Sequence, residues 1–253
     1  MLRYRDLLIE LTLREIKARY KQSFLGFFWV ILNPFFQMLI LSFVFSKILR
    51  FSGIGVPYPV FLYAGLLPWT FLVNSLNASL DSLSSNTSLI KQIYFPREIL
   101  VLSAILAKAF DFFLSFIIFL FLMVFFKVSF SFFMLVFIPV FILQAVFVFG
   151  VGLVLAAFNL FYRDVQYLFS LVLTLWFYLT PVIYAVEFFP EEYRFIFKLN
   201  PMAVFINAYR KVLLGGDFPK LSSMIIAFVF SFLLFFLCYK VFKRLEGYFA
   251  DIV

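Results

Sequence analysis

The sequence predicts an all-α integral membrane protein: six transmembrane helices, an N-terminal amphipathic interface helix, and short re-entrant external helices between spans 5 and 6. Three observations carry this. Hydrophobic residues make up 65% and charged residues 13% of the 253 residues, whereas soluble chains run nearer a quarter charged. A fold of this size cannot bury so much apolar surface, so the excess faces lipid. Six apolar runs, roughly 24–49, 58–83, 99–126, 132–159, 166–186 and 221–243, reach or approach the ~20 helical residues that cross a ~30 Å hydrocarbon core. Ahead of them, a basic, helix-compatible stretch from Leu7 to Lys21 runs straight into Ser23–Trp29 and the first run, with no linker.

Taken in order, residues 1–22 form the interface helix of a single domain covering 1–253. Ile9, Leu13, Ile16 and Tyr20 share one helical face. Arg3, Arg14, Lys17 and Lys21 make a neighbouring basic stripe, with Arg19 close by, and Leu7, Leu11 and Ala18 flank the other side. Such a helix can lie at the interface while its cations snorkel to headgroups. The plain alternative is a positively charged anchor. On the first span, Trp29, Asn33, Phe36 and Phe43 share an approximate face whose phase Pro34 disturbs. The second span has a polar cytoplasmic half: Asn74, Ser75, Asn77, Ser79, Asp81, Ser82, Ser84 and Ser85. Such side chains face a bundle interior or an aqueous path, unless the helix projects into the cytoplasm.

Residues 86–95 come next. Asn86 or Thr87 offers an N-cap, and Pro96 stops a helix of about two turns through Leu89–Tyr94. Exposed beyond the bilayer, Leu89, Ile90 and Ile93 need a soluble partner to bury them; otherwise this is an ordinary capped loop. On the third span, Lys108 and Asp111 are three apart and pair on one face as an intramembrane ion pair. On the fifth, Phe169, Trp176, Thr180 and Tyr184 share a face. Interfacial Trp and Tyr form aromatic belts in any case. Mid-span aromatics beside polar groups also suit stacking on the C–H faces of sugars, and spacing does not separate the two. Residues 188–215 are too polar to span and too apolar for a free loop. Pro190 opens one short helix, Asn200-Pro201 caps another, and Gly215-Gly216 stops it. Irregular backbone at membrane depth needs protein or a water-filled cavity against it, so these helices line an opening.

An even span count puts both termini on one side, and the positive residues choose the cytoplasm. Arg3 to Lys21, Lys91, Arg97, Arg163, Lys240, Lys243 and Arg244 all fall there. The net charge of +8 therefore meets anionic headgroups rather than nucleic acid. Cys238 alone allows no disulfide framework, and the absence of histidine removes the commonest general base and metal ligand together. No phosphate-cradling G-x-x-x-x-G-K-[ST], no metal-ligand spacing and no G-x-S-x-G elbow occurs. Asp164 beside Arg163 and the pair Glu191-Glu192 belong to no catalytic motif. No catalytic residue, metal site or cleavable signal peptide is expected.

The run Leu11-Thr12-Leu13-Arg14-Glu15-Ile16-Lys17-Ala18-Arg19-Tyr20-Lys21-Gln22-Ser23-Phe24-Leu25-Gly26, through Trp29 and Pro34, resembles the permease subunits of ABC-2 polysaccharide exporters, including O-antigen transporters. Later blocks agree: Ala64-Gly65-Leu66-Leu67-Pro68-Trp69, Leu89-Ile90-Lys91 with Phe95-Pro96, Phe161-Tyr162-Arg163-Asp164, Thr180-Pro181-Val182 and Asn200-Pro201. The N-terminal block is the most specific. The resemblance implies the ABC-2 (type V exporter-like) fold and a homodimer in the cytoplasmic (inner) membrane with two cytoplasmic ABC ATPase subunits. ATP and Mg would sit on those subunits, with none in this chain. It implies a coupling helix with Asn86, Leu89, Ile90, Lys91, Ile93 and Tyr94 at the ATPase contact. It also implies a substrate channel with Trp29, Asn33, Phe36, Phe169, Trp176, Thr180 and Tyr184, built from the first and fifth spans at the dimer interface. The cargo would be a glycan on polyprenyl diphosphate, and no carbohydrate-binding module is expected after the short tail. Two other readings stay open: an ABC-2 exporter of drugs or small lipids, and a membrane enzyme acting on polyprenyl-linked sugars.

Overall fold

A computed structural model of the chain describes residues 4–20, 28–48, 55–215, 218–219 and 221–249. Among the described residues there is no strand. The helices are α1 (Arg5–Tyr20), α2 (Phe28–Ser42, continued by a π-helical turn to Ile48), α3 (Tyr58–Ser84) and α4 (Thr87–Gln92). They continue with α5 (Glu98–Phe125), α6 (Phe137–Phe161, entered through a 3₁₀ turn from Phe132), α7 (Val165–Leu179), α8 (Arg194–Leu199), α9 (Pro201–Arg210) and α10 (Leu221–Leu245).

Among the described residues, five stretches are long and apolar enough to cross a membrane: Phe28–Ser46, Tyr58–Ser84, Glu98–Phe125, Phe132–Phe161 and Met224–Tyr248. The fifth apolar run departs from expectation. Its helix, α7, holds 15 residues, about 22 Å at the α-helical rise and short of a ~30 Å core. Pro181 explains the stop. It lacks an N–H and disfavours a helical residue before it, and Thr180 is extended at ψ 134°.

α3 is the axis of the bundle, packed by α2, α5, α6, α7 and α9. Its polar residues divide accordingly. Ser75, Ser79 and Ser82 are buried, with the Ser79 hydroxyl donating to Ser75 O at 2.8 Å and that of Ser82 to Ser79 O at 2.7 Å. Asn74, Asn77 and Asp81 are exposed. α6 lies between α3 and α10, and two glycines allow the approach on its opposite sides. A Cβ at Gly150 would stand 2.8 Å from Phe235 Cα, and one at Gly152 would stand 2.7 Å from Ser79 Oγ. In lipid, such backbone proximity supplies the van der Waals contact that hydrophobicity between helices does not. Two buried amides on α6 add hydrogen bonds to α3: Gln144 Nε2 to Pro68 O at 2.7 Å and Asn159 Nδ2 to Leu80 O at 2.9 Å.

α1 packs on α5. Leu11 is buried there, with Tyr4, Leu7 and Leu8 against the same core, while Ile9 and Leu13 are exposed. The flank carrying Leu7 and Leu11 thus meets protein, and the Ile9–Leu13 line faces outward. At the N-terminal end of α5, buried Glu98 accepts from Lys243 Nζ of α10 at 2.7 Å. The same Nζ reaches Glu246 at 2.8 Å, and Arg97 donates its backbone N–H to Glu246 at 3.1 Å.

Candidate functional site

A cavity of about 380 Å³ opens between α2, α3 and α5. Trp29, Asn33 and Gln37 line it from α2; the four-residue spacing puts them on one helical face. Trp69, Thr70 and Asn74 line it from α3, and Lys108, Asp111 and Ser115 from α5. Lys108 Nζ stands 3.7 Å from Asp111 Oδ2, with both side chains mostly buried. Two sequence-predicted groups, the α2 face and the ion pair, therefore meet at one cavity. Phe36 is exposed and does not line it. Sequence reasoning missed Gln37 and Trp69 as lining residues, although Gln37 follows Asn33 by one helical turn; Asn74 was among the polar residues expected to face an interior or an aqueous path. Indole faces beside amides, a hydroxyl and an ion pair can stack on C–H surfaces and hydrogen-bond to hydroxyl groups.

The fifth-run residues lie elsewhere. Phe169 packs on the core half-buried, and Trp176, Thr180 and Tyr184 form a separate arrangement behind the cavity. Trp176 meets Trp69 edge to face, with ring centroids 6.0 Å apart and planes at 88°. It thus meets the cavity wall through Trp69. Its indole N–H donates to Asn200 Oδ1 at 2.9 Å. Thr180 is fully buried; its hydroxyl donates to Trp176 O at 2.7 Å and accepts from Asn200 Nδ2 at 2.9 Å. Tyr184 lies past the end of α7, where its hydroxyl donates to Tyr178 O at 2.8 Å and its ring meets Phe189 and Phe197. The expected single aromatic face is broken because the helix ends at Leu179, five residues before Tyr184.

At the other end of α3, α4 is shorter than expected and ends at Gln92; Ile93 is extended. Ile90 is buried and Leu89 half-buried, so these two are covered by the chain itself. Ile93 and Tyr94 are exposed at 57% and 89%, with Lys91 and Gln92 also open. Asn86 stands at the N-cap position without a capping hydrogen bond. Its amide donates to Ser82 O at 2.8 Å, and its Oδ1 accepts from Arg14 of α1. Arg14 is also 3.6 Å from Glu15. Lys17 is exposed; the Arg19 side chain and Lys21 lie outside the described residues. Among those residues no cluster of His, Cys, Asp or Glu is placed to hold a metal.

A family model described as ABC-2 type transporter matches residues 6–214, from α1 through α9. The chain belongs to the ABC-2 type transporter family. This ABC-2 chain is 33% identical over 254 residues to the O-antigen export system permease protein RfbA of Klebsiella pneumoniae, a match covering 98% of the chain and 95% of that protein. The protein of the same name from Myxococcus xanthus is 31% identical over 251 residues, at the same coverage. Polysialic acid transport protein KpsM of Escherichia coli is 22% identical over 241 residues, 93% of this chain and 92% of that one. Family membership and five long apolar helices make it a multi-pass membrane protein.

Proposed function

We propose that this ABC-2 chain is the channel-forming permease subunit of an ATP-driven exporter of lipid-linked polysaccharide such as O-antigen, carried on polyprenyl diphosphate across the cytoplasmic (inner) membrane. The observation that supports this most is the similarity to O-antigen export permeases over 98% of the chain. The aromatic and amide lining of the α2–α3–α5 cavity agrees with a hydroxyl-rich cargo. The working unit is a homodimer with two copies of a cytoplasmic ABC ATPase, which carry ATP and Mg; this chain is not itself an enzyme. α7, with the turn after it, crosses as the fifth span and completes the set of six, and both termini are cytoplasmic. The ATPase is received at α4 by Lys91, Ile93 and Tyr94, the side chains left exposed there.

Co-purification with the ATPase tests this, with ATP turnover measured for the complex and for the ATPase alone. A complex should form, and Ile93→Asp or Tyr94→Asp should weaken it while the permease accumulates normally. Ile90→Asp should instead destabilise the permease itself, because Ile90 is buried. Failure of the wild-type chain to associate under several mild detergents would overturn the reading and favour a stand-alone membrane enzyme. Association without surface glycan export would leave a small-lipid or drug exporter.

A further inference from the structure

α9 is fastened at both ends to the turn that closes α7. At its N-terminus, Asn200 Oδ1 accepts from the backbone N–H of Met202 at 3.0 Å and of Ala203 at 3.4 Å, which caps the helix. The same oxygen accepts the Trp176 indole N–H, and the amide nitrogen donates to Leu179 O at 3.2 Å and to Thr180 Oγ1. At its C-terminus, buried Arg210 donates to Pro181 O and Val182 O, each at 2.6 Å, and to Tyr184 O at 3.3 Å. These carbonyls fall where α7 has stopped and no helical N–H follows to satisfy them. The guanidinium also lies 3.6 Å from the centre of the Phe61 ring on α3. α9 and residues 179–184 are therefore joined by directional bonds from both sides.

One of these bonds leads to the cavity. Trp176, held by Asn200, stands edge to face against Trp69, and Trp69 lines the α2–α3–α5 cavity. We propose that Asn200 is a positioning residue for transport: through the Trp176 indole it sets the aromatic wall of the cavity, and it links the placement of α9 to the shape of the space the cargo meets. This rests on the export reading above. A cap needs only an oxygen at position 200; a hold on an indole one element away also needs the reach of an amide. Displacement of α9 relative to α7 must break the Trp176 bond or carry Trp176 with it. Either outcome changes what packs behind Trp69.

The chain has three tryptophans, so 5-fluorotryptophan labelling gives three ¹⁹F resonances, assigned by single Trp→Phe changes in the purified complex with the ATPase. Asn200→Ser keeps a capping oxygen but is too short to reach the indole. It should shift and broaden the Trp176 resonance and leave that of Trp29 in place. Asn200→Asp keeps an acceptor for both tasks while giving up the bonds to Leu179 O and Thr180 Oγ1, and should hold the Trp176 resonance closer to its wild-type position than Asn200→Ser does. In cells, Asn200→Ser and Trp176→Phe should each lower surface glycan about fivefold, the scale of one neutral hydrogen bond. The double variant should be no worse than the weaker single one, because both remove the same contact. An unmoved Trp176 resonance overturns the proposal whatever the cargo is. Losses that multiply in the double variant overturn it as well. A displaced resonance with normal export removes the transport role of Asn200 and leaves the export reading intact. If the serine variant does not accumulate, the comparison of Asn200→Asp with Trp176→Phe decides: equal export by the latter and wild type overturns it.

Discussion

Gln144 is a fully buried amide on an apolar helix, and both ends of its side chain are used. Its nitrogen donates to Pro68 O on α3, and its oxygen accepts from the Tyr209 hydroxyl of α9 at 2.9 Å. Gln144→Leu would leave a buried phenolic O–H without an acceptor, which costs about 2 kcal/mol where no water can replace the partner. Tyr209→Phe alone should cost less, and the double variant should recover most of the loss, since removing both partners removes the unsatisfied group. Thermal unfolding midpoints of the purified permease in detergent check this; a double variant as unstable as Gln144→Leu would mean that packing, not the hydrogen bond, sets the cost. Pairs close in sequence were legible before any coordinates. Lys108 with Asp111 and Asn200 with Pro201 announce themselves by spacing alone. Gln144 with Tyr209 and Glu98 with Lys243 are 65 and 145 residues apart, and nothing periodic in a sequence marks a hydrogen bond between distant helices.

Helix identity follows from apolar length and from prolines, so most spans were legible as elements; what those cues do not convey is which side of a helix its neighbours claim. α4 buried Ile90 because a protein surface was there to receive the side chain, and on α1 the flank with Leu11 meets α5 while Ile9 and Leu13 stay open. α7 is the opposite case. Only Leu173 is buried along it, and Leu168, Leu171, Val172, Leu175 and Leu179 are open. In the proposed homodimer, a helix with so little hold on its own subunit is a candidate seam, and Leu168, Leu171 and Leu175 fall on one face at helical spacing. In a Cys238→Ser background, single cysteines replacing Leu168 or Leu175 should form disulfide-linked dimers on mild oxidation of native membranes, and one replacing Leu173 should not. Dimers absent at every position on that face, in preparations where the transporter complex is intact, would place the subunit contact elsewhere.

At the scale of the whole molecule, composition and charge distribution made the fold class readable, because lipid forces every spanning segment to be helical and headgroup charge biases which loops remain inside. Depth was not readable from composition, and whether α7 crosses decides the topology of the rest of the chain. With α2, α3, α5, α6 and α10 alone crossing, the termini would lie on opposite sides; with α7 crossing as well, they share one side. Arg163 and Glu192 flank α7 and are both exposed, so they report its passage directly. In the Cys238→Ser background, Glu192→Cys should react with a membrane-impermeant maleimide in intact spheroplasts, and Arg163→Cys only after the membrane is opened. Tyr248→Cys, at a position 60% exposed, should behave like Arg163→Cys, and so should Arg5→Cys. Labelling of the 163 and 192 positions under the same condition would mean that α7 lies within one leaflet. The turn at Thr180-Pro181, clamped by Asn200 and Arg210, would then hold a re-entrant helix rather than end a span, and the two termini would have to separate.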